Sequence, residues 1–128
     1  MLPDAIAEYK TAMPVGDEDH VIIGANPMLG LVAKNCWPAA RLVVRGGPDG
    51  ADIALLETVE DVEFIAARYD RIVVGSGDHV FESVVSAYQM CGLPVGVVAR
   101  KRSLAFVLGT SASFVRLIPE IQRCGVVA

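Results

Sequence analysis

The sequence is poor in the residues that mark special classes of protein. It has three cysteines, two histidines and one tryptophan in 128 residues. Cys36, Cys91 and Cys124 lie far apart and form no C-x-x-C pair. An odd count, with Asp4, Glu8 and Lys10 where a secretory signal would be apolar, argues against a disulfide framework. It favours three small buried hydrophobes in a reducing compartment, the cytoplasm. His20 and His79 make no zinc pattern with these cysteines. Long hydrophobic runs are also missing. Stretches such as Val21-Ile22-Ile23, Leu42-Val43-Val44 and Val95-Gly96-Val97-Val98 are strand-sized. None approaches the roughly 18 residues of a membrane helix. Repeats, low-complexity tracts and linkers are absent. Basic residues are outnumbered, 11 to 15, for a net charge of −4. That balance disfavours coating of nucleic acid by bulk charge.

What the chain has in abundance is apolar surface. Hydrophobic residues make up 53% and the mean hydropathy is +0.47. This excludes global disorder, and the length fits a single domain over residues 1–128. Such hydropathy in a small domain predicts an apolar surface patch and, through it, a homodimer. The charge is unevenly spread. Residues 1–63 carry eleven carboxylates against four basic side chains, whereas residues 94–128 carry five basic side chains against Glu120.

Strand-like and helix-like segments alternate, which implies an α/β fold with a parallel sheet. Continuous hydrophobicity in the strands suits a sheet covered on both faces, an α-β-α sandwich. Helices are predicted over 3–12, 28–36, 51–69, 79–92 and 103–109. Strands are predicted over 20–24, 41–45, 71–75, 95–99 and 113–117, the last at an edge. The apolar face of 51–69 includes Ile53, Leu56, Val59, Val62, Phe64, Ile65 and Ala66. Phe81, Val84, Val85, Tyr88 and Met90 point inward from 79–92, and Trp37 joins the core. Cys91-Gly92-Leu93-Pro94 stops that helix.

Ligands of open parallel sheets gather outside the carboxyl ends of the strands. Three loops there combine glycine with a polar side chain: Gly24-Ala25-Asn26, Gly46 through Asp52, and Gly75-Ser76-Gly77-Asp78. Asp78 reads either as a helix N-cap or as a metal or catalytic carboxylate. Asp52 reads either as a first-turn residue suited to the helix dipole or as a partner of Asp78. If the two loops meet, the pair suits Mg²⁺, which accepts a few oxygens plus water and substrate phosphate. Asn26 is a turn residue or a positioner of phosphate. His79 is a helix-start residue or a ligand or phosphate contact. Arg100-Lys101-Arg102 is a solvated turn or a phosphate-binding rim beside Asp78. Ser76 does not sit in a G-x-S-x-G elbow, and the glycines spell neither a Walker loop nor G-x-G-x-x-G.

The order of these motifs resembles the NYN domain of the PIN-like nuclease superfamily. Gly24-Ala25-Asn26, Gly50-Ala51-Asp52, Val73-Val74-Gly75-Ser76-Gly77-Asp78, Leu93-Pro94-Val95-Gly96-Val97-Val98 and Phe114-Val115-Arg116-Leu117 carry the likeness over residues 20–118. It is strongest over 50–98, and the first helix lies outside it. The resemblance implies a PIN-like three-layer sandwich with a central, mostly parallel sheet. It also implies carboxylates that bind Mg²⁺ or Mn²⁺ and activate water to cut RNA. Asn26, Asp52, Ser76 and Asp78 match the family's polar positions. Two acidic positions of the family are apolar here, Ile23 before Gly24 and Val80 after Asp78. Glu82, one helical turn beyond Asp78, is a substitute donor, whereas Asp19 lies at the wrong end of its strand.

A metal-dependent ribonuclease of NYN type is therefore expected. Asp52 and Asp78, with Glu82, would hold the metal. Asn26 and Ser76 would orient water or phosphate. Arg100, Lys101, Arg102 and His79 would contact RNA. The alternative is a PIN-like fold that has lost catalysis and serves as a binding or assembly module. A third reading is a small α/β domain whose glycine loops hold a phosphorylated ligand.

Overall fold

Short helices and short strands interleave along the described residues. In the computed structural model, residues 2–119 are described. The elements are α1 (Leu2–Ala12), β1 (Ile22–Ala25), α2 (Gly30–Cys36), β2 (Arg41–Val44), α3 (Gly50–Thr58), α4 (Val62–Ala66), β3 (Ile72–Val74), α5 (Glu82–Met90), β4 (Val95–Arg100), α6 (Phe106–Ser111) and β5 (Phe114–Ile118). Single 3₁₀ turns at His79–Phe81 and Lys101–Ser103 precede α5 and α6. No helix among the described residues is long and apolar enough to cross a membrane.

Every strand pairing is parallel, as the βα alternation requires. The architecture is α/β, as expected, but among the described residues the strands lie in two small parallel sheets, β1-β2 and β3-β4-β5, with no ladder between them. β4 is the middle strand of the second sheet, and its residues Val95 to Ala99 are buried, matching their unbroken apolar sequence. β5 is an edge, as expected.

Helix α1 bridges the two halves. It packs on α2 and on β5. The Tyr9 ring lies against Gly75, where an added Cβ would meet Cε2 at 2.9 Å, and 6.3 Å from the Trp37 ring. Burial, assisted by the charge of Asp19, raises the Tyr9 hydroxyl above the ordinary phenol range. Glu8 accepts a salt bridge from Arg100 at the end of β4.

The long helix expected over 51–69 is two helices. Its apolar period runs through the break, so periodicity alone could not reveal it. The break falls at β-branched Thr58 and Val59, which favour helix less than straight-chain residues. Asp61 then caps α4 by accepting from the Phe64 N–H at 3.2 Å. The carbonyl of Val59 is satisfied by the Tyr88 hydroxyl at 2.8 Å. Helix α5 ends as its sequence implies. Gly92 adopts φ +85°, its N–H donates to Gln89, and the Leu93 N–H donates to Tyr88, closing a Schellman motif.

The core is one-sided. Val74, Phe81, Val84, Val85, Tyr88, Leu93, Val95, Val97, Ala99 and Leu108 form its buried cluster, all from the second half. Each large member contributes roughly 1.5–3 kcal/mol of burial. Buried hydrophobic residues in residues 20–60 are small: Ala25, Ala33, Ala40 and Ala54. Three side chains expected inside are not. Met90 is 89% exposed, Phe64 is exposed under the guanidinium of Arg68, and Trp37 is half-buried beneath Lys10. Cys91 is exposed and Cys36 half-buried, so the description as buried hydrophobes fails for Cys91. Cys124 lies outside the described residues.

Candidate functional site

Gly24 sets the approach of α3 to β1. A Cβ there would stand 2.6 Å from the Ala51 carbonyl oxygen and 2.7 Å from Leu55. Only glycine lets the first turn of α3 settle over the carboxyl end of β1. The turn before α3 is tight as well: Gly47 and Asp49 both have positive φ, 83° and 55°. These constraints carry Asp52 to the mouth of a cleft of about 280 Å³. Its lining includes Ile23, Asn26, Asp49 and Asp52. A larger cleft of about 420 Å³, near Asp17 and Asp19, opens by Val21, before β1 begins, where α/β sheets do not place their ligands.

Asp78 reaches the same place from the other sheet. The loop after β3 is ordered from within: the Ser76 hydroxyl oxygen accepts from the Asp78 N–H at 3.2 Å, and Asp78 accepts from the Val80 N–H at 3.0 Å. Asp78 therefore caps the following 3₁₀ turn, and its carboxylate also lies 3.3 Å from Nδ1 of His79. The cap leaves a charge that Asp52 feels. Asp52 is raised above the ordinary carboxylate range by its own desolvation first, then by the charges of Asp78 and Asp49. Asp78 and Asp52 are therefore near enough for their charges to couple. Asp49, in the turn before α3, adds a third charge nearby. Its signal was its place three residues before Asp52 in the same glycine-rich loop.

Other candidates are placed differently. Asn26 lines the cleft, but its Oδ1 accepts from the Leu29 N–H at 2.9 Å and so shapes the turn into α2. Glu82 accepts from Ser86 on its own helix at 2.7 Å. Among the described residues, no group of three His, Cys, Asp or Glu side chains is arranged to hold a metal ion. Ile23 lies in the cleft wall where the resembled family has a carboxylate.

The basic triplet divides. Arg100 is tied to Glu8 and donates to the Pro119 carbonyl, so its guanidinium is engaged. Lys101 and Arg102 are exposed and form no salt bridge among the described residues. Their segment is pressed onto the Asp78 loop: the Ala105 N–H donates to the Gly77 carbonyl at 2.8 Å, and a Cβ at Gly77 would sit 2.1 Å from the Ser103 oxygen. His79 is exposed on the adjoining turn.

Two carboxylates fit a water-rich hard cation. Mg²⁺ is commonly held by one or two carboxylates and completes its shell with water and phosphate. Zinc sites usually include histidine or cysteine ligands beside any carboxylate, which this pair alone does not supply. No protein-family model, no curated protein and no solved structure matches the chain. The site therefore stands on its geometry: two acidic residues at strand carboxyl ends whose charges couple, a largely apolar cleft edged by Asn26, Asp49 and Asp52, and two exposed cations on the neighbouring segment.

Proposed function

We propose that the protein is a metal-dependent ribonuclease of NYN type with a PIN-like fold. The observation that carries this reading is the meeting of Asp52 and Asp78. Those two residues would hold Mg²⁺ or Mn²⁺. A bound divalent ion would polarise a phosphodiester and lower the pKa of an attacking water. The chain's own groups do the rest. Ser76, whose oxygen accepts from the Asp78 N–H, keeps its hydroxyl proton for an external oxygen. Lys101 and Arg102 offset backbone phosphate charge. Glu82 enters this reading only by turning away from Ser86, and Arg100 only by leaving Glu8.

A second reading, a PIN-like binding or assembly module without cleavage, is favoured by Ile23 in the cleft wall and by the missing third donor among the described residues. RNA cleavage in Mg²⁺ or Mn²⁺ separates the two. Wild type should cut, and Asp52→Asn and Asp78→Asn should not. A wild type inert with every metal and RNA tried leaves the second reading.

A homodimer in the cytoplasm belongs to the same proposal. Exposed Met28, Leu31 and Val32 around α2 neighbour exposed Val44 on the edge strand β2. Covering this patch with a second copy would account for the high hydropathy. Light scattering should report a dimer that Leu31→Glu converts to a monomer. A monomeric wild type at high concentration refutes it.

A further inference from the structure

Helix α6 carries a ring it does not use for packing. It buries Leu108 completely, while Phe106, its first residue, is 86% exposed. Position matters here. Ala105, the residue before it, is bonded to the Gly77 carbonyl, one residue from Asp78. Lys101 and Arg102 lead into the same segment. Helix α6 also packs on the 3₁₀ turn that holds His79, whose imidazole is 76% exposed. An aromatic face open to water, two exposed cations without a salt bridge among the described residues, and a candidate phosphodiester site thus share one corner of a chain that is otherwise acidic.

We propose that Phe106 is a stacking platform for an unpaired base of single-stranded RNA, whose backbone Lys101 and Arg102 hold. The inference rests on the nucleic-acid part of the proposed function and not on cleavage. A simple polyanion would need the cations alone. A nucleobase also offers a π-face, which an exposed phenyl ring accepts without regard to sequence. Bases inside a duplex have both faces covered by neighbours, so the ring selects single strands. His79, on the packed neighbouring turn, is placed to contact the next nucleotide.

The test is binding of a short fluorescent single-stranded RNA to the full chain in EDTA, read by anisotropy, with the matching duplex as comparison. Wild type should prefer the single strand. Phe106→Ala should weaken it roughly five- to 150-fold, the equivalent of the ~1–3 kcal/mol that one base–aromatic stack contributes. Phe106→Trp should restore it. The double change Lys101→Ala, Arg102→Ala should reduce the salt dependence of log K by about 1.4, two phosphates' worth on a single strand. Because Phe106 is exposed, its substitution should leave the melting temperature nearly unchanged. Equal binding by Phe106→Ala and wild type overturns the inference, as does equal affinity for duplex. So does a Phe106→Ala variant that loses self-association while keeping RNA affinity, which would make the ring a contact for a second copy. Cleavage is assayed separately with Mg²⁺ or Mn²⁺. A wild type that binds through Phe106 but never cuts supports this inference and sinks the nuclease. One that cuts without needing Phe106 for binding does the reverse.

Discussion

Asp78, which follows a strand of one sheet, adds its charge to the desolvation that raises the carboxyl of Asp52, which follows a strand of the other. Asp52 follows a strand of the first sheet and Asp78 a strand of the second.

This pairing costs stability in the absence of a cation. The folded-state pKa of Asp52 is raised above its unfolded value, so the unfolded chain binds fewer protons in the interval between them. Stability then falls as pH rises through that window, and the full cost is present above it. Asp52→Asn removes the charge. The variant should unfold at higher urea than wild type at neutral pH, by a few tenths of a kcal/mol given partial exposure. The gain should vanish below the carboxylate range. A variant less stable than wild type at neutral pH would show that the attraction of Asp52 to the α3 dipole outweighs the repulsion.

Divalent cations should reverse the sign. Mg²⁺ or Mn²⁺ that binds only the folded pair raises the melting temperature, by the equivalent of about 2.7 kcal/mol at a hundredfold excess over Kd. The rise should disappear in both Asp52→Asn and Asp78→Asn, and weaken on acidification as Asp52 takes up its proton. Calorimetric scans with and without metal decide this. An equal rise in all three proteins would place the ion elsewhere.

Asp78 has two duties that different substitutions separate. Asp78→Asn keeps an oxygen for the Val80 N–H and loses the charge, whereas Asp78→Ala loses both. The alanine variant should be less stable than the asparagine variant by about 0.5–2 kcal/mol, the usual worth of a cap. Both should lose the metal response equally. Chemical denaturation beside metal titration gives the two readouts.

Gly77→Ala should be among the most damaging single changes. Its Cβ would lie 2.1 Å from the Ser103 oxygen and 2.8 Å from the Leu104 Cα, both backbone atoms that cannot rotate away. The strand-to-turn loop and the Lys101–Ala105 segment must then separate. A loss of roughly 1–3 kcal/mol or more is expected, in line with overpacking. RNA affinity should fall with it. Urea denaturation and anisotropy check both, and a wild-type-like Gly77→Ala would contradict the packed geometry.

Much of the order of elements could be read from local signals. The Gly46-Gly47-Pro48 turn, the Cys91-Gly92 stop and the uninterrupted apolar run of β4 each act within a few residues. The split of 51–69 could not be read, because the group that satisfies Val59 is Tyr88 from a distant helix. Nor could the division into two sheets, since strand spacing sets direction but not which edges bond. At the site, a glycine-bearing loop just ahead of an acidic residue singled out both Asp52 and Asp78. The engagement of Arg100 escaped, because its partner Glu8 lies in the helix outside the resemblance. Phe106 escaped for a simpler reason: a single aromatic residue near a turn looks like core until its exposure is measured.

The missing ladder between β1 and β3 has a further consequence for assembly of the native state. The half with large buried side chains holds the main core, and the half packed on alanines and glycines meets it through α1 and through Leu55 and Leu56 of α3. The carboxylate pair comes into being only when that docking is complete, and its repulsion works against the last step. A cation seated there would act as a latch, closing the two halves in the same event that arms the site.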